Sequence, residues 1–143
     1  MAVYVLDTSA ILAAFKGERG HEEVRRVLRD AREQRDIEVY IPFMALMEIQ
    51  YQFLREMIPR DVDYWLSVAM SWPIGVVESN PIWRDEAARV KARGKISLAD
   101  SWVASLALLQ SAELLHKDPE FDRVEGLKAI RLPYDRDNAG RDT

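Results

Sequence analysis

Four acidic residues of this sequence lie within or directly beside apolar segments, where a carboxylate is expected to be shielded from water. Asp7 directly follows the apolar run Val3–Leu6, and Asp118 follows the run "ELLHK". Asp100 falls at the start of a helical pattern, and Glu48 lies within the apolar stretch "FMALMEIQYQF". A carboxylate taken out of water must pair with a cation, take up a proton or bind a metal ion. These positions therefore mark candidate sites of chemistry.

Each of the four acids also has a purely structural interpretation. Asp7 precedes a helix-like pattern and suits an N-cap, and "SLAD" around Asp100 matches a capping box. Asp118 precedes a proline and suits a turn. Glu48 could form a buried ion pair, although no cationic residue lies within one helical turn of it. Taken singly, none of the acids decides between structure and function.

Considered together, the acids predict a metal site. Carboxylates gathered at one place repel one another and take up protons unless a divalent cation shares them. An all-oxygen site suits Mg²⁺ or Mn²⁺, which bind few carboxylates directly and complete their shell with water and phosphate. This combination of acids, metal and phosphate is the chemistry of a nuclease.

Composition narrows the class of protein. The 143 residues suit one domain, and the apolar fraction of 48% excludes a largely disordered chain. The absence of cysteine and the presence of only two histidines argue against disulfides, thiolate catalysis and a classical zinc site. We find no secretory signal and no apolar stretch long enough to span a bilayer, so we expect a cytoplasmic protein without a membrane partner.

Apolar strand-like runs alternate with helical patterns along the chain. Four runs read as strands, "VYVL", "IEVYI", "IGVVE" and "ELLHKD", and "LKAIRL" is a possible fifth. This alternation predicts an α/β three-layer sandwich with a mainly parallel central sheet of four to five strands. We expect one domain over residues 1–134 and a polar tail over residues 135–143. Because ligands of such sheets collect beyond the carboxyl ends of the strands, Asp7 and Asp118 should face the same rim.

The motifs "VLDTSAIL", "EI" within "FMALMEIQYQF", "ISLADSWVASLAL" and "LLHKDPEF" follow one another in this order. In this order and at these separations they resemble the PIN-domain ribonucleases, in particular the short toxins of VapBC-type toxin–antitoxin modules. The resemblance extends from Val3 to about Leu132. It implies a PIN-like fold and an endoribonuclease that hydrolyses RNA phosphodiester bonds with Mg²⁺ or Mn²⁺. It also implies a homodimer and a cognate antitoxin protein as partners.

The resemblance assigns a role to each acid. Asp7, Asp100 and Asp118 match the metal-anchoring acids, and Glu48 matches the helical glutamate, which would bind the metal or act as general base. Hydroxyls at Thr8 or Ser9 would support the first acid. One position departs from the pattern, since His116 stands where the family often has Thr or Ser. It could replace that hydrogen bond, hold a phosphate or be only a strand residue.

Arg93 and Lys95 are further candidates for contacts with the substrate, because their basic run leads into the helix of Asp100. The simpler interpretation of this run is a solvated helix end that the helix dipole favours. Two other functions stay open at this point. Asp7 could be the nucleophile of a phosphoaspartyl enzyme, or the chain could be a catalytically silent PIN-like binding module.

Overall fold

The computed structural model describes residues 1–56 and 61–134, so the predicted tail at 135–143 lies outside the described residues. Within that part the strands are β1 (Ala2–Leu6), β2 (Ile37–Pro42), β3 (Gly75–Val77), β4 (Glu113–His116) and β5 (Lys128–Arg131). The α-helices are α1 (Thr8–Lys16), α2 (His21–Glu33), α3 (Met44–Arg55), α4 (Val62–Ser71), α5 (Pro81–Arg93) and α6 (Leu98–Leu109). A short 3-10 helix spans Pro119–Arg123.

The strands form one sheet in the order β3-β2-β1-β4-β5, and every neighbouring pair is parallel. The predicted α/β fold with a parallel sheet is therefore confirmed, and the possible fifth strand is real. The chain builds the sheet outward from β1 through β2 and β3, and then returns to place β4 on the other side of β1. The crevice beyond the ends of β1 and β4 is consequently the switch point where ligands of such sheets bind.

Alternating strand residues pack into two cores, one on each face of the sheet. Leu6, Ile41 and Leu115 are fully buried against α1 to α4. Val5 and Leu114 point the other way, against α5, α6 and the 3-10 helix. The period of two along a strand produces this division, and it establishes the three layers of the sandwich.

Local signals fix the helices that carry the acids. Helix α1 begins at Asp7 as its N-cap and ends at Gly17, whose φ of 65° lies in the left-handed region that glycine tolerates. Helix α6 begins at Ser97, whose hydroxyl accepts the N–H of Asp100 at 3.1 Å. The buried indole of Trp83 on α5 donates to Ser105 Oγ at 2.9 Å and so holds α5 against α6.

Helix α3 differs from the fully buried helix that its apolar letters suggest. Ile49 is buried, but Met47 is 60% exposed and Tyr51 is 49% exposed. Glu48 itself is only partly buried. The apolar outer side of α3 therefore belongs to the surface, and Glu48 lies at the boundary between core and solvent.

Candidate active site

A cleft of about 790 Å³ opens at the ends of β1 and β4. All four acids predicted from the sequence line this cleft, together with the two predicted hydroxyl residues: Asp7, Thr8, Ser9, Glu48, Asp100 and Asp118. The fold thus gathers side chains that are up to 111 positions apart, from Asp7 to Asp118, at the predicted rim of the sheet. Their chemical roles remain predictions.

Asp7 is held in place by its neighbour two residues along. The hydroxyl of Ser9 donates to Asp7 Oδ2 at 2.6 Å, and Ser9 Oγ in turn accepts the backbone N–H of Lys117 at 3.1 Å. Ser9 therefore ties the end of β1 to the segment that follows β4. Burial raises the pKa of Asp7, the hydrogen bonds from Ser9 and Thr8 oppose this rise, and the charge of Asp118 adds to it.

Glu48 reaches the same cleft from α3. Burial raises the pKa of Glu48, the negative charge of Asp7 raises it further, and a hydrogen bond with the Thr8 side chain lowers it. The sequence shows no cationic residue near Glu48, and the described residues likewise include no cation within salt-bridge distance of its carboxylate. Thr8 and Asp7 thus link the α3 carboxylate to the N-terminal end of α1.

Asp100 does not complete the capping box that its sequence suggests. Ser97 does cap α6, but the backbone N–H of Ser97 donates to Glu120 Oε1 at 2.8 Å. Glu120 thereby takes the capping role expected of Asp100. Burial, hydrogen bonds with the carboxyls of Glu120 and Asp118, and the charges of Asp7 and Asp118 together raise the pKa of Asp100 to about 9.

Asp118 caps the 3-10 helix and also lines the cleft. Its Oδ1 accepts the N–H of Glu120 at 2.9 Å and so caps the 3-10 helix. Its own N–H donates to Nδ1 of His116 at 3.0 Å. The imidazole therefore supplies the acceptor that orients Asp118, which is one of the interpretations the sequence left open.

His116 is fully buried and packs edge-on against Phe121, with the ring centroids 4.8 Å apart. Burial lowers the pKa of the imidazole, which keeps it neutral. This position does not fit the predicted contact between His116 and a substrate, because no part of the ring reaches the cleft surface. Since β4 alternates between the two cores, the same pattern that exposes Lys117 to the cleft turns His116 away from it.

The tightest group of carboxylates differs from the predicted metal ligands in one member. Among the described residues, Asp100, Asp118 and Glu120 each offer an oxygen within 4.8 Å of the others. Asp7 lines the same cleft but is not a member of this group. The group fits a hard divalent cation, because its donors are all oxygen. Burial and the neighbouring carboxyls raise the pKa of Asp100, and a bound cation would offset that concentration of negative charge.

Sequence reasoning did not single out Glu120, which belongs to the group of three acids. It also missed three charged residues that line the cleft: Glu18, Lys117 and Arg131. The signal for Lys117 and Glu120 was their position beside Asp118 at the end of a strand. Nothing in the sequence marked Arg131, because its place depends on β5 pairing in register with β4.

The predicted substrate contacts at Arg93 and Lys95 lie elsewhere. Both side chains are exposed, and they line a separate cavity of about 270 Å³ beside the 3-10 helix, where Arg123 donates to the Lys95 carbonyl at 3.4 Å. They do not line the acidic cleft. Arg93 is the last residue of α5, and Lys95 lies in the loop before Ser97, the N-cap of α6.

Comparison with known proteins identifies the class. The sequence profile of the PIN domain matches residues 4–127, so the chain belongs to the PIN domain family. The predicted family is thus confirmed. No curated protein sequence matches the chain significantly.

Solved structures share the fold at low sequence identity. VapBC2 from Rickettsia felis bound to a DNA fragment from its promoter superposes with a TM-score of 0.76 at 17% identity, over 92% of this chain and 99% of that chain. DNA-bound VapBC from Salmonella typhimurium superposes with a TM-score of 0.75 at 17% sequence identity, over 92% of this chain and 98% of that chain. VapC20 from Mycobacterium tuberculosis, a sarcin-ricin loop cleaving toxin, superposes with a TM-score of 0.67 at 16% sequence identity, over 92% of this chain and 100% of that chain.

Proposed function

We propose that this protein is a metal-dependent endoribonuclease and the toxin of a toxin–antitoxin pair. The observation that carries the proposal is the group Asp100, Asp118 and Glu120, whose oxygens lie within 4.8 Å of one another, beside a cleft that Asp7, Glu48, Asp100 and Asp118 line. Membership of the PIN domain family supports it, and so does the likeness to solved toxin–antitoxin complexes.

Asp100, Asp118 and Glu120 would hold Mg²⁺ or Mn²⁺, with Asp7 as a further ligand directly or through water. When bound, such an ion supplies positive charge that favours ionisation of water and stabilises the charge developing on phosphorus. Ser9 keeps the Asp7 carboxylate turned toward the cleft by its 2.6 Å hydrogen bond. His116 orients Asp118 through the 3.0 Å bond from the Asp118 N–H.

Glu48 is the best candidate for the general base that accepts a proton from the attacking water. It lines the cleft from α3, whereas Asp100 belongs to α6 and Asp118 follows β4, and it forms a hydrogen bond with the Thr8 side chain. Its raised pKa brings the carboxylate closer to neutral pH, where a general base works best. The partly buried position leaves room for water beside it.

Two other functions receive less support. An aspartyl nucleophile needs an exposed, ionised oxygen, whereas Asp7 is 7% exposed, its Oδ2 accepts the Ser9 hydroxyl, and burial raises its pKa. A silent binding module would have no need to keep five carboxylates in one cleft, since their mutual repulsion destabilises the fold. The geometry therefore favours the metal-dependent nuclease over both.

The test combines calorimetric titration of Mn²⁺ with an RNA-cleavage assay, with and without chelator. We expect Mn²⁺ binding by the wild type, and loss of both binding and cleavage in Asp118→Asn. Asp85→Asn is the matched control, because Asp85 is an exposed acid that pairs with Arg84 on α5. Metal uptake that Asp118→Asn leaves intact would refute the proposal, and covalent phosphate on Asp7 would favour the phosphoaspartyl enzyme.

We also propose an antitoxin as the partner. A cavity of about 570 Å³ separates α2 from α4, with Trp65 and Trp72 beside three arginines of α2 (Arg25, Arg29 and Arg32). Its aromatic floor and positive rim suit an acidic segment with apolar anchors. Co-expression with the protein encoded beside this gene should yield a complex, and Trp72→Glu should weaken it. An RNA substrate and such a partner would place the activity in the cytoplasm; within residues 1–56 and 61–134 no helix has the length and apolar character needed to cross a membrane.

A homodimer is the remaining proposal. The apolar side of α3 and the start of α6 form a groove of about 540 Å³ that adjoins the acidic cleft. Met47 is 60% exposed and Leu98 is 68% exposed at its edges. Burial of such side chains against a second copy is worth about 1.5–3 kcal/mol each. Light scattering should report a dimer that Leu98→Asp dissociates; a wild-type monomer at high concentration would refute it.

A further inference from the structure

We propose that the ammonium group of Lys117 binds a phosphate of the RNA substrate inside the acidic cleft. This inference rests on the proposed function, because it takes RNA as the substrate. It concerns a residue that directly precedes Asp118 and that the acidic cluster does not require as a metal ligand.

The backbone of Lys117 is fixed to the centre of the site. Its N–H donates to Ser9 Oγ at 3.1 Å, and Ser9 donates to Asp7 at 2.6 Å. Lys117 is only 9% exposed as a residue, and yet it lines the cleft. A lysine buries its aliphatic stem and keeps the charged end in contact with water. The stem of Lys117 thus occupies the protein side of the wall, and the ammonium faces the cleft.

The ammonium has donors to spare. Its one carboxylate neighbour within 4.0 Å among the described residues is Glu18, at 3.8 Å. A charge-assisted hydrogen bond between an ammonium and a carboxylate is about 2.7–2.9 Å long, so the contact with Glu18 is an electrostatic pairing without a hydrogen bond. By contrast, Lys16 donates to Glu56 Oε1 at 2.5 Å. The three N–H donors of Lys117 are therefore free to bind an anion.

The charge of the cleft requires such a cation. The acids Asp7, Glu18, Glu48, Asp100 and Asp118 line the cleft, Glu120 lies beside Asp118, and a divalent ion offsets only part of their charge. An RNA phosphate that approaches them is repelled unless a fixed positive charge lies nearby. Arg131 also lines the cleft, but it pairs with Asp122 at 3.1 Å. Lys117 is consequently the cation with the weakest competing partner.

The alternative is that Lys117 only anchors the segment after α1 through Glu18. The two roles are separated by Lys117→Met, which keeps the stem and removes the charge, and by Glu18→Gln, which removes the partner and keeps the lysine. Lys128→Met is the matched charge control, because Lys128 is an exposed lysine at the start of β5, whereas the cleft lies at the carboxyl ends of the strands. An anchoring role predicts equal effects from the first two variants.

The experiment measures binding of a fluorescent single-stranded RNA by anisotropy over a series of salt concentrations, with Ca²⁺ in place of Mn²⁺. One lost phosphate contact makes the slope of log affinity against log salt less steep by about 0.7 for a single strand. We expect this change in Lys117→Met and not in Glu18→Gln or Lys128→Met. An unchanged slope in Lys117→Met would overturn the inference.

Cleavage and metal binding supply the second measurement. Lys117→Met should lower kcat/KM for RNA cleavage by about ten- to a hundredfold, the usual effect of losing a hydrogen bond to a charged group. Its Mn²⁺ affinity should stay equal to that of the wild type or rise, since a positive charge leaves the site. A fall in Mn²⁺ affinity would show a structural role and refute the inference. Wild-type protein that cleaves no RNA would instead refute the proposed function, and the salt slope would still decide the role of Lys117.

Discussion

Proton release on metal binding is the most quantitative consequence of the acidic cluster. Burial and the neighbouring carboxyls raise the pKa of Asp100 to about 9, so its carboxyl still holds a proton at neutral pH when no cation is bound. A metal ion must displace that proton. Mn²⁺ affinity should therefore rise about tenfold per pH unit below pH 9, with an upper limit of about a hundredfold between pH 7 and full ionisation. Solvent screening at this partly exposed residue makes the real increase smaller than that limit.

Calorimetry in two buffers of different ionisation enthalpy measures this release directly. At pH 7 the wild type should release about one proton per Mn²⁺ bound. Asp100→Asn should abolish the release and bind Mn²⁺ more weakly, with little dependence on pH. Asp85→Asn on the surface of α5 should behave as the wild type. Mn²⁺ affinity that is the same at pH 6.5 and pH 8, with no proton released, would refute the assignment of a protonated Asp100 at the metal site.

Three other variants test the site from different directions. Because the pKa of Asp100 is raised in the folded state, the stability that this carboxyl contributes is present at acid pH and is lost as pH rises toward 9. Asp100→Asn should therefore raise the Tm, measured at pH 8 in chelator, by about 2–5 °C. An unchanged Tm would contradict the raised pKa. Ser9→Ala removes the hydroxyl that holds Asp7, and it should lower cleavage about tenfold while Ser67→Ala on the exposed side of α4 has no effect; equal activity of the two variants would argue against the role of Ser9. His116→Ala should reduce the free energy of unfolding by about 2–4 kcal/mol and leave the KM for RNA unchanged, and a raised KM would instead restore a substrate contact.

Much of the fold could be predicted because its signals are local. The strands are short runs of three to six residues. The helices between them carry their own boundary marks, such as Gly17 after α1 and Asn80, whose side chain accepts the Trp83 N–H at 2.9 Å. Parallel strands connected by helices leave few arrangements. The position of Asp7 and Asp118 at one rim follows from that topology alone.

The parts that could not be predicted depend on tertiary contacts. The residues around Glu48 are apolar on nearly every side, but they do not distinguish a helix in the core from one whose outer face forms a surface groove, as the exposure of Met47 shows. Glu120 became part of the site because it accepts the N–H of Ser97, which lies 23 positions earlier in the chain. No local pattern announces such a contact.

Cations were the least predictable members of the site. The basic run containing Arg93 and Lys95 predicted a substrate contact because it precedes Asp100, but in the fold both residues line a different cavity. Lys117 and Arg131 are single cations in strands or at their ends, and they reach the cleft through the pairing of β4 with β5. Density of charge in a sequence indicates a solvated surface more readily than a functional contact.

The most direct test of the central claim is a crystal of the wild-type protein soaked in Mn²⁺, with the ion located by its anomalous scattering. We predict an anomalous peak in the cleft, within coordination distance of carboxylate oxygens from Asp100 and Asp118. Absence of a peak there at saturating Mn²⁺, or a peak bound only by acids outside the cleft, would contradict the account.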